Sequence, residues 1–111
     1  MQSTRLEKLL QFLENEPQDP FLKYAIATEY LVSNEQQKAL TYFEDLVQNH
    51  AEYVGTYYHL GKLYEKLDKP ADALKTYQQG MVMARAKNDR HALSELQAVY
   101  NSAAGLDYED D

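Results

Sequence analysis

Apolar residues recur three and four positions apart from one end of the chain to the other, and no segment alternates with the period of two that a half-buried strand requires. Leu6, Leu9, Leu10 and Leu13 draw the first such stripe. The pattern predicts six helices, over about 3–15, 20–33, 35–49, 52–67, 70–87 and 90–104. Their ends carry recognisable signals. Thr4-x-x-Glu7 reads as a capping box, and Asp19-Pro20 supplies an N-cap followed by an N1 proline. Ser33-Asn34 and Asn88-Asp89 read as breaks, Pro70 opens the fifth helix, and Gly105 offers a C-cap. Pro17, Pro20 and Pro70 are the only prolines, and all stand at boundaries. Helices of about four turns joined by a few residues lie antiparallel to their neighbours. Two all-α architectures meet that condition, a closed bundle and an open stack of helical hairpins.

Internal similarity separates them. A shift of 34 residues brings Ile26 onto Leu60, Ala27 onto Gly61 and Tyr30 onto Tyr64. The same shift brings Ala39 onto Ala73, Leu40 onto Leu74, Phe43 onto Tyr77, and the turn residue Asn34 onto Asp68.

A two-helix unit of this length with small and aromatic residues at fixed stations resembles the tetratricopeptide repeat. That pattern asks for large residues at stations 4 and 7, small at 8, aromatic at 11, small at 20, aromatic at 24, small at 27 and Pro at 32. Begun at Val54, those stations hold Tyr57, Leu60, Gly61, Tyr64, Ala73, Tyr77, Gly80 and Arg85, of which only the last departs. Begun at Pro20, they hold Lys23, Ile26, Ala27, Tyr30, Ala39, Phe43, Leu46 and Ala51, and here Lys23, Leu46 and Ala51 depart. Gly61 and Ala73 are expected where the two helices of one hairpin cross, with Tyr64 and Tyr77 filling the space beside them. Extended backwards, the frame puts Leu9 at station 24, Phe12 at 27 and Pro17 at 32 of a truncated unit. Extended forwards, a step of 36 puts Leu93, Leu96 and Tyr100 at stations 4, 7 and 11, so the fifth helix should be longer and the last should cap the stack. The resemblance implies an α-α superhelix of antiparallel hairpins in a single domain over 1–111. Its parts would be a capping helix (3–17), two repeats (20–53 and 54–87), a second capping helix (90–104) and an acidic tail (105–111).

In that family the first helix of each unit lines a concave groove that holds an extended peptide or a partner's helix. The resemblance assigns Phe21, Tyr24, Thr28, Leu31 and Val32 of the first unit to it, and Gly55, Tyr58, Lys62, Glu65 and Lys66 of the second. His91, Ser94, Ala98 and Asn101 would extend it on the terminal helix. Tyr24 and Tyr58 occupy the same station of successive units. An equally simple reading leaves these rings covering the edge of the core with their hydroxyls in water. Chaperone-binding members clamp a peptide's terminal carboxylate with Lys at station 5, Asn at station 9 and Asn at station 6 of the next unit. Tyr24, Thr28 and His59 stand there instead, which disfavours that ligand.

Composition narrows the function from other directions. In 111 residues there is no Cys, which excludes disulfides and thiolate metal sites. A formal charge of −7 argues against nucleic acid and anionic membrane surfaces, where affinity comes from Lys and Arg. Asp107, Glu109, Asp110 and Asp111 contribute part of it and read as a solvated tail, with an acidic binding tail as the lesser alternative. The opening MQSTRLEKLLQFLENE carries acids inside its apolar stripe and does not read as a secretory signal, so a cytoplasmic address is expected. His50, His59 and His91 are the only histidines, and no metalloprotease motif, nucleophile elbow or phosphate loop accompanies them. His59 reads as a surface residue, and the set Glu52, His59 and His91 matches no metal-site spacing. Neither cofactor nor metal is expected. The sequence therefore predicts a non-enzymatic adaptor for a protein or peptide partner, with self-association into a homo-oligomer as the alternative.

Overall fold

The computed structural model describes residues 4–106, and among these there are six helices and no strand. They are α1 (Arg5–Asn15), α2 (Pro20–Val32), α3 (Gln36–Asn49), α4 (Gly55–Lys66), α5 (Pro70–Ala86) and α6 (Arg90–Ala103). The expected helix start at Ser3 and the acidic tail from Asp107 to Asp111 lie outside the described residues.

Local signals set most of the ends. Thr4 caps α1 by accepting from the Glu7 amide at 3.1 Å. Asp19 caps α2 by accepting from the amides of Phe21 and Leu22, ahead of Pro20 at N1. Four helices end alike. After α2, α4, α5 and α6 the chain turns through a left-handed residue, in order Asn34, Asp68, Asn88 and Gly105. In each case the next amide reaches back to the helix: Glu35 to Tyr30 O, Lys69 to Tyr64 O, Asp89 to Ala84 O and Leu106 to Asn101 O. This is the Schellman arrangement, for which Gly, Asn and Asp carry the smallest backbone penalty.

One boundary differs from expectation. α4 begins at Gly55, three residues later than the apolar pattern suggested. The carbonyls of Ala51 and Glu52 do not serve helical amides; they accept from the Tyr57 hydroxyl (2.5 Å) and from Lys87 Nζ (3.3 Å). Side-chain donors, one from α4 itself and one from the distant Lys87, thus take the carbonyls of the lead-in.

The helices form two compact units, Met1–His50 and Ala51–Asp111. In the first, α2 packs on both α1 and α3. Arg5 reaches Glu29 across α1 and α2, while Tyr24 meets Phe43 and Tyr30 meets Tyr42 across α2 and α3, so each pair runs antiparallel. Leu9, Leu22, Ala25 and Ile26 are buried between α1 and α2, flanked by Leu6, Leu10, Leu13 and Tyr30. Ala27, Ala39, Phe43 and Leu46 are fully buried as well. Phe12, placed by the sequence frame at a packing station, is instead 58% exposed.

In the second unit α5 packs on α4 and α6, and α4 also touches α6. The small residues mark the close approaches. Gly61 is buried, and a Cβ there would run into the ring of Tyr77. A Cβ on Gly80 would fall 2.5 Å from Tyr57 Cβ and 3.0 Å from Leu96 Cδ1. Both lie far inside ordinary contact, so only glycine fits between these helices. Leu60, Leu63, Ala73, Tyr77 and Leu96 are buried around them, and Tyr64 is half-buried. Burying each large side chain stabilises the unit by about 1.5–3 kcal/mol. As the frame with its longer step suggested, α5 is the longest helix at 17 residues, and Leu96 of α6 is 1% exposed.

Candidate functional site

Each first helix buries one face and presents the other. On α2, Phe21 and Val32 are exposed and Tyr24, Thr28 and Leu31 are half-buried. On α4, Gly55, Lys62, Glu65 and Lys66 are exposed and Tyr58 is half-buried. On α6, His91, Ser94 and Ala98 are exposed and Asn101 is half-buried. Every residue assigned to a partner face is therefore open to contact, each within its own unit.

The two faces differ in chemistry. Along α2 the ring of Tyr24 stands edge-on to Phe43 with centroids 6.4 Å apart, and the Thr28 hydroxyl donates to the Ala25 carbonyl at 2.9 Å. Neither feature brings a charge. On α4 the ring of Tyr77 passes through the gap left by Gly61, and its hydroxyl donates to the carboxylate of exposed Glu65. Burial, then that hydrogen bond, raises the Tyr77 phenol pKa well above its ordinary value, so it remains a donor. Read from sequence as part of a solvated Glu-Lys face, Glu65 is instead held from beneath by the core. The signal was the Tyr at position 77 where the other unit has Phe43.

His59 also departs from expectation. It is half-buried, its ring standing edge-on to Tyr58 at 5.6 Å. Burial lowers the imidazole pKa, against the opposite pull of Glu95 on α6. Glu95 in turn lies 3.2 Å from His91. Among the described residues no group of His, Asp and Glu is arranged to hold a metal ion. None of their helices is long and apolar enough to cross a membrane.

A further cluster had no local sequence signal. Lys23, counted as a departure from the repeat pattern, is 6% exposed. Its ammonium lies 2.7 Å from Asp45 Oδ2, 3.4 Å from His50 Nε2 and 3.5 Å from Gln18 Oε1. Burial works against charge on Asp45. Hydrogen bonds from Lys23 and Asn49, with the nearby positive charge, outweigh it and lower the carboxyl pKa. The lysine thus fills a large-residue station with its aliphatic stem and neutralises its head inside the hairpin. By contrast Lys66, exposed on α4, makes no ion pair with any described residue. Lys66→Ala is expected to change the unfolding free energy by less than about 0.5 kcal/mol in urea titration.

No family profile and no curated protein matches the chain. Solved structures do. The solution structure of a tetratricopeptide repeat domain protein from Salinibacter ruber is 48% identical, over 86% of this chain and 96% of that one, with a TM-score of 0.77. A crystal structure of a tetratricopeptide repeat domain protein from the same organism is 50% identical over 80% of this chain and all of that one, again at 0.77. A protein from Bordetella parapertussis shares the fold at 20% identity and a TM-score of 0.79, over 96% of this chain and 92% of that one.

Proposed function

The chain belongs to the tetratricopeptide repeat family, and we propose that it is a protein-interaction module acting as an adaptor without catalysis of its own. The partner, a peptide or a helix, would lie on the outward face of the first helix of a unit, α2 in one and α4 in the other. The observation that supports this most directly is the division of labour on those helices. Ile26, Ala27, Leu60 and Gly61 are buried on one side, while Tyr24 and Tyr58 stand half-open on the other. Rings so placed contribute large contact area at little entropic cost and are common binding anchors.

The test is an affinity capture from cell extract with the chain as bait, repeated with Tyr24→Ala combined with Tyr58→Ala. Partners held by the normal chain should be lost by the variant, with the helical circular dichroism of both unchanged. Retention of the same partners would move the site off these faces. Sedimentation at micromolar concentration addresses self-association directly. A mass of one chain is expected, and a tight dimer insensitive to the double substitution would make self-association the function.

A further inference from the structure

Arg5, Arg85 and Arg90 are the only arginines of the chain. Arg5 is engaged, paired with Glu29 at 2.8 Å. Arg85 and Arg90 are exposed, and among the described residues neither guanidinium forms an ion pair or a side-chain hydrogen bond. Both line one cleft of about 180 Å³ at the corner between α5 and α6, together with Ala84, Asn88, Asp89 and Leu93.

Local signals build this corner. Arg85 lies in the last turn of α5, Asn88 reverses the chain at a φ of 56°, and Arg90 opens α6 behind the Asp89 N-cap. The Asp89 amide donates back to the Ala84 carbonyl at 2.8 Å and ties the two helix ends together. Ala84 is fully buried and Leu93 half-buried, so they make an apolar floor under a rim of exposed Arg85, Asn88, Asp89 and Arg90. Asp89 is the one acid of that rim, and its carboxylate already accepts from the Ala92 amide at 3.0 Å. One carboxylate against two guanidinia leaves the cleft net positive, on a chain whose formal charge is −7.

Shape and charge together select the ligand. A guanidinium is a planar fork that meets a carboxylate through two parallel hydrogen bonds, which an ammonium cannot do. Sites for whole small molecules enclose roughly 300–1,000 Å³, so this smaller cleft suits a single side chain. We propose that the α5–α6 corner takes the glutamate side chain of an acidic segment on a partner protein. Its two methylenes lie on Ala84 and Leu93, and its carboxylate is held by Arg85 and Arg90. The corner lies off the faces of α2 and α4, so it is a contact point of its own and does not rest on them.

The probes are two acetylated and amidated peptides that differ only in carrying Glu or Gln at their centre. Each is titrated into the nitrogen-15-labelled full chain and followed by nuclear magnetic resonance. The Glu peptide should shift the Nε–H signals of Arg85 and Arg90 and the amides of Asn88 and Leu93, and the Gln peptide should bind about tenfold more weakly. Arg85→Lys with Arg90→Lys keeps the charge and removes the forks, and should weaken the Glu peptide several-fold. Lys87→Gln removes a charge beside the cleft and should leave that affinity unchanged. Tyr24→Ala with Tyr58→Ala should leave it unchanged too, so this site and the faces of α2 and α4 fail separately. Equal affinity for the two peptides, or shifts of the same size at exposed Lys62, Lys66 and Lys69, would overturn the site in favour of diffuse charge. Asp107→Asn, Glu109→Gln, Asp110→Asn and Asp111→Asn, made together, should leave the Arg85 and Arg90 signals in place. Movement of both, with tighter binding of the Glu peptide, would give the cleft to the chain's own acidic tail and overturn its assignment to a partner.

Discussion

Gly61→Leu is expected to destabilise the chain by at least about 3 kcal/mol, lowering the melting temperature by roughly 10 °C or more. Even a Cβ at this position would run into the Tyr77 ring. That ring has little room to retreat, being fully buried with its hydroxyl anchored on Glu65. α4 and α5 would have to separate, and the contacts of Leu60, Ala73 and Tyr77 would open with them. Combining Gly61→Leu with Tyr77→Ala should recover part of the loss, since the ring that collides is gone. Two additive losses would mean that the collision is elsewhere. Gly105→Ala is the instructive contrast, because nothing lies within 4 Å of a Cβ there. Its φ of 74° still makes alanine strained, and about 1 kcal/mol is expected. Thermal unfolding followed at 222 nm measures all of these.

Asp45→Ala should cost about 2 kcal/mol, whereas Lys23→Met should be nearly neutral. The asymmetry follows from the burial of the two partners. Removing the carboxylate strands an ammonium whose side chain is only 8% exposed. Replacing the lysine with a side chain of similar length keeps the packing and leaves a carboxylate that is 35% exposed and can be hydrated. Since breaking a fully buried pair costs about 3–5 kcal/mol, the partial exposure of Asp45 reduces the expectation. The pair also predicts an acid response. Because the folded pKa of Asp45 is lowered, its contribution is complete above the unfolded value near 3.8 and is lost as the pH falls through the folded value. Urea titrations between pH 6 and pH 2.5 should show that loss in the normal chain, and much less of it in Asp45→Asn. An identical acid profile for the two would remove Asp45 from the account.

What the chain order revealed, and what it hid, divides along physical lines. Asp19, Pro20, Asn34, Asp68, Asn88 and Gly105 act on backbone within a few residues of themselves, so the helix ends they set were legible. The small-large spacing around Gly61 and Tyr77 was legible because a contact between two helices joined by a short turn repeats in sequence. The start of α4 was not, since the carbonyls before it are taken by side chains, Tyr57 from within the helix and Lys87 from the end of α5. Lys23 looked like a defect because its partners Asp45 and His50 come close only when α3 folds back on α2. Phe12 sits on an apolar helix whose leucines already fill the contact with α2, and no spacing rule says that such a ring will be left outside. Which faces lie open was implied by the family. That one is uncharged could be read from its five residues, whereas the anchoring of Glu65 to the core on the other emerged only from the coordinates.

The tyrosine that threads the gap at Gly61 joins the interior to the surface. A ligand that draws on the carboxylate of Glu65 pulls at the same time on a phenol enclosed by α4 and α5. With no tryptophan among the 111 residues, near-ultraviolet light is absorbed chiefly by the ten tyrosines, and a change at Glu65 is expected to register in the signal of this buried one.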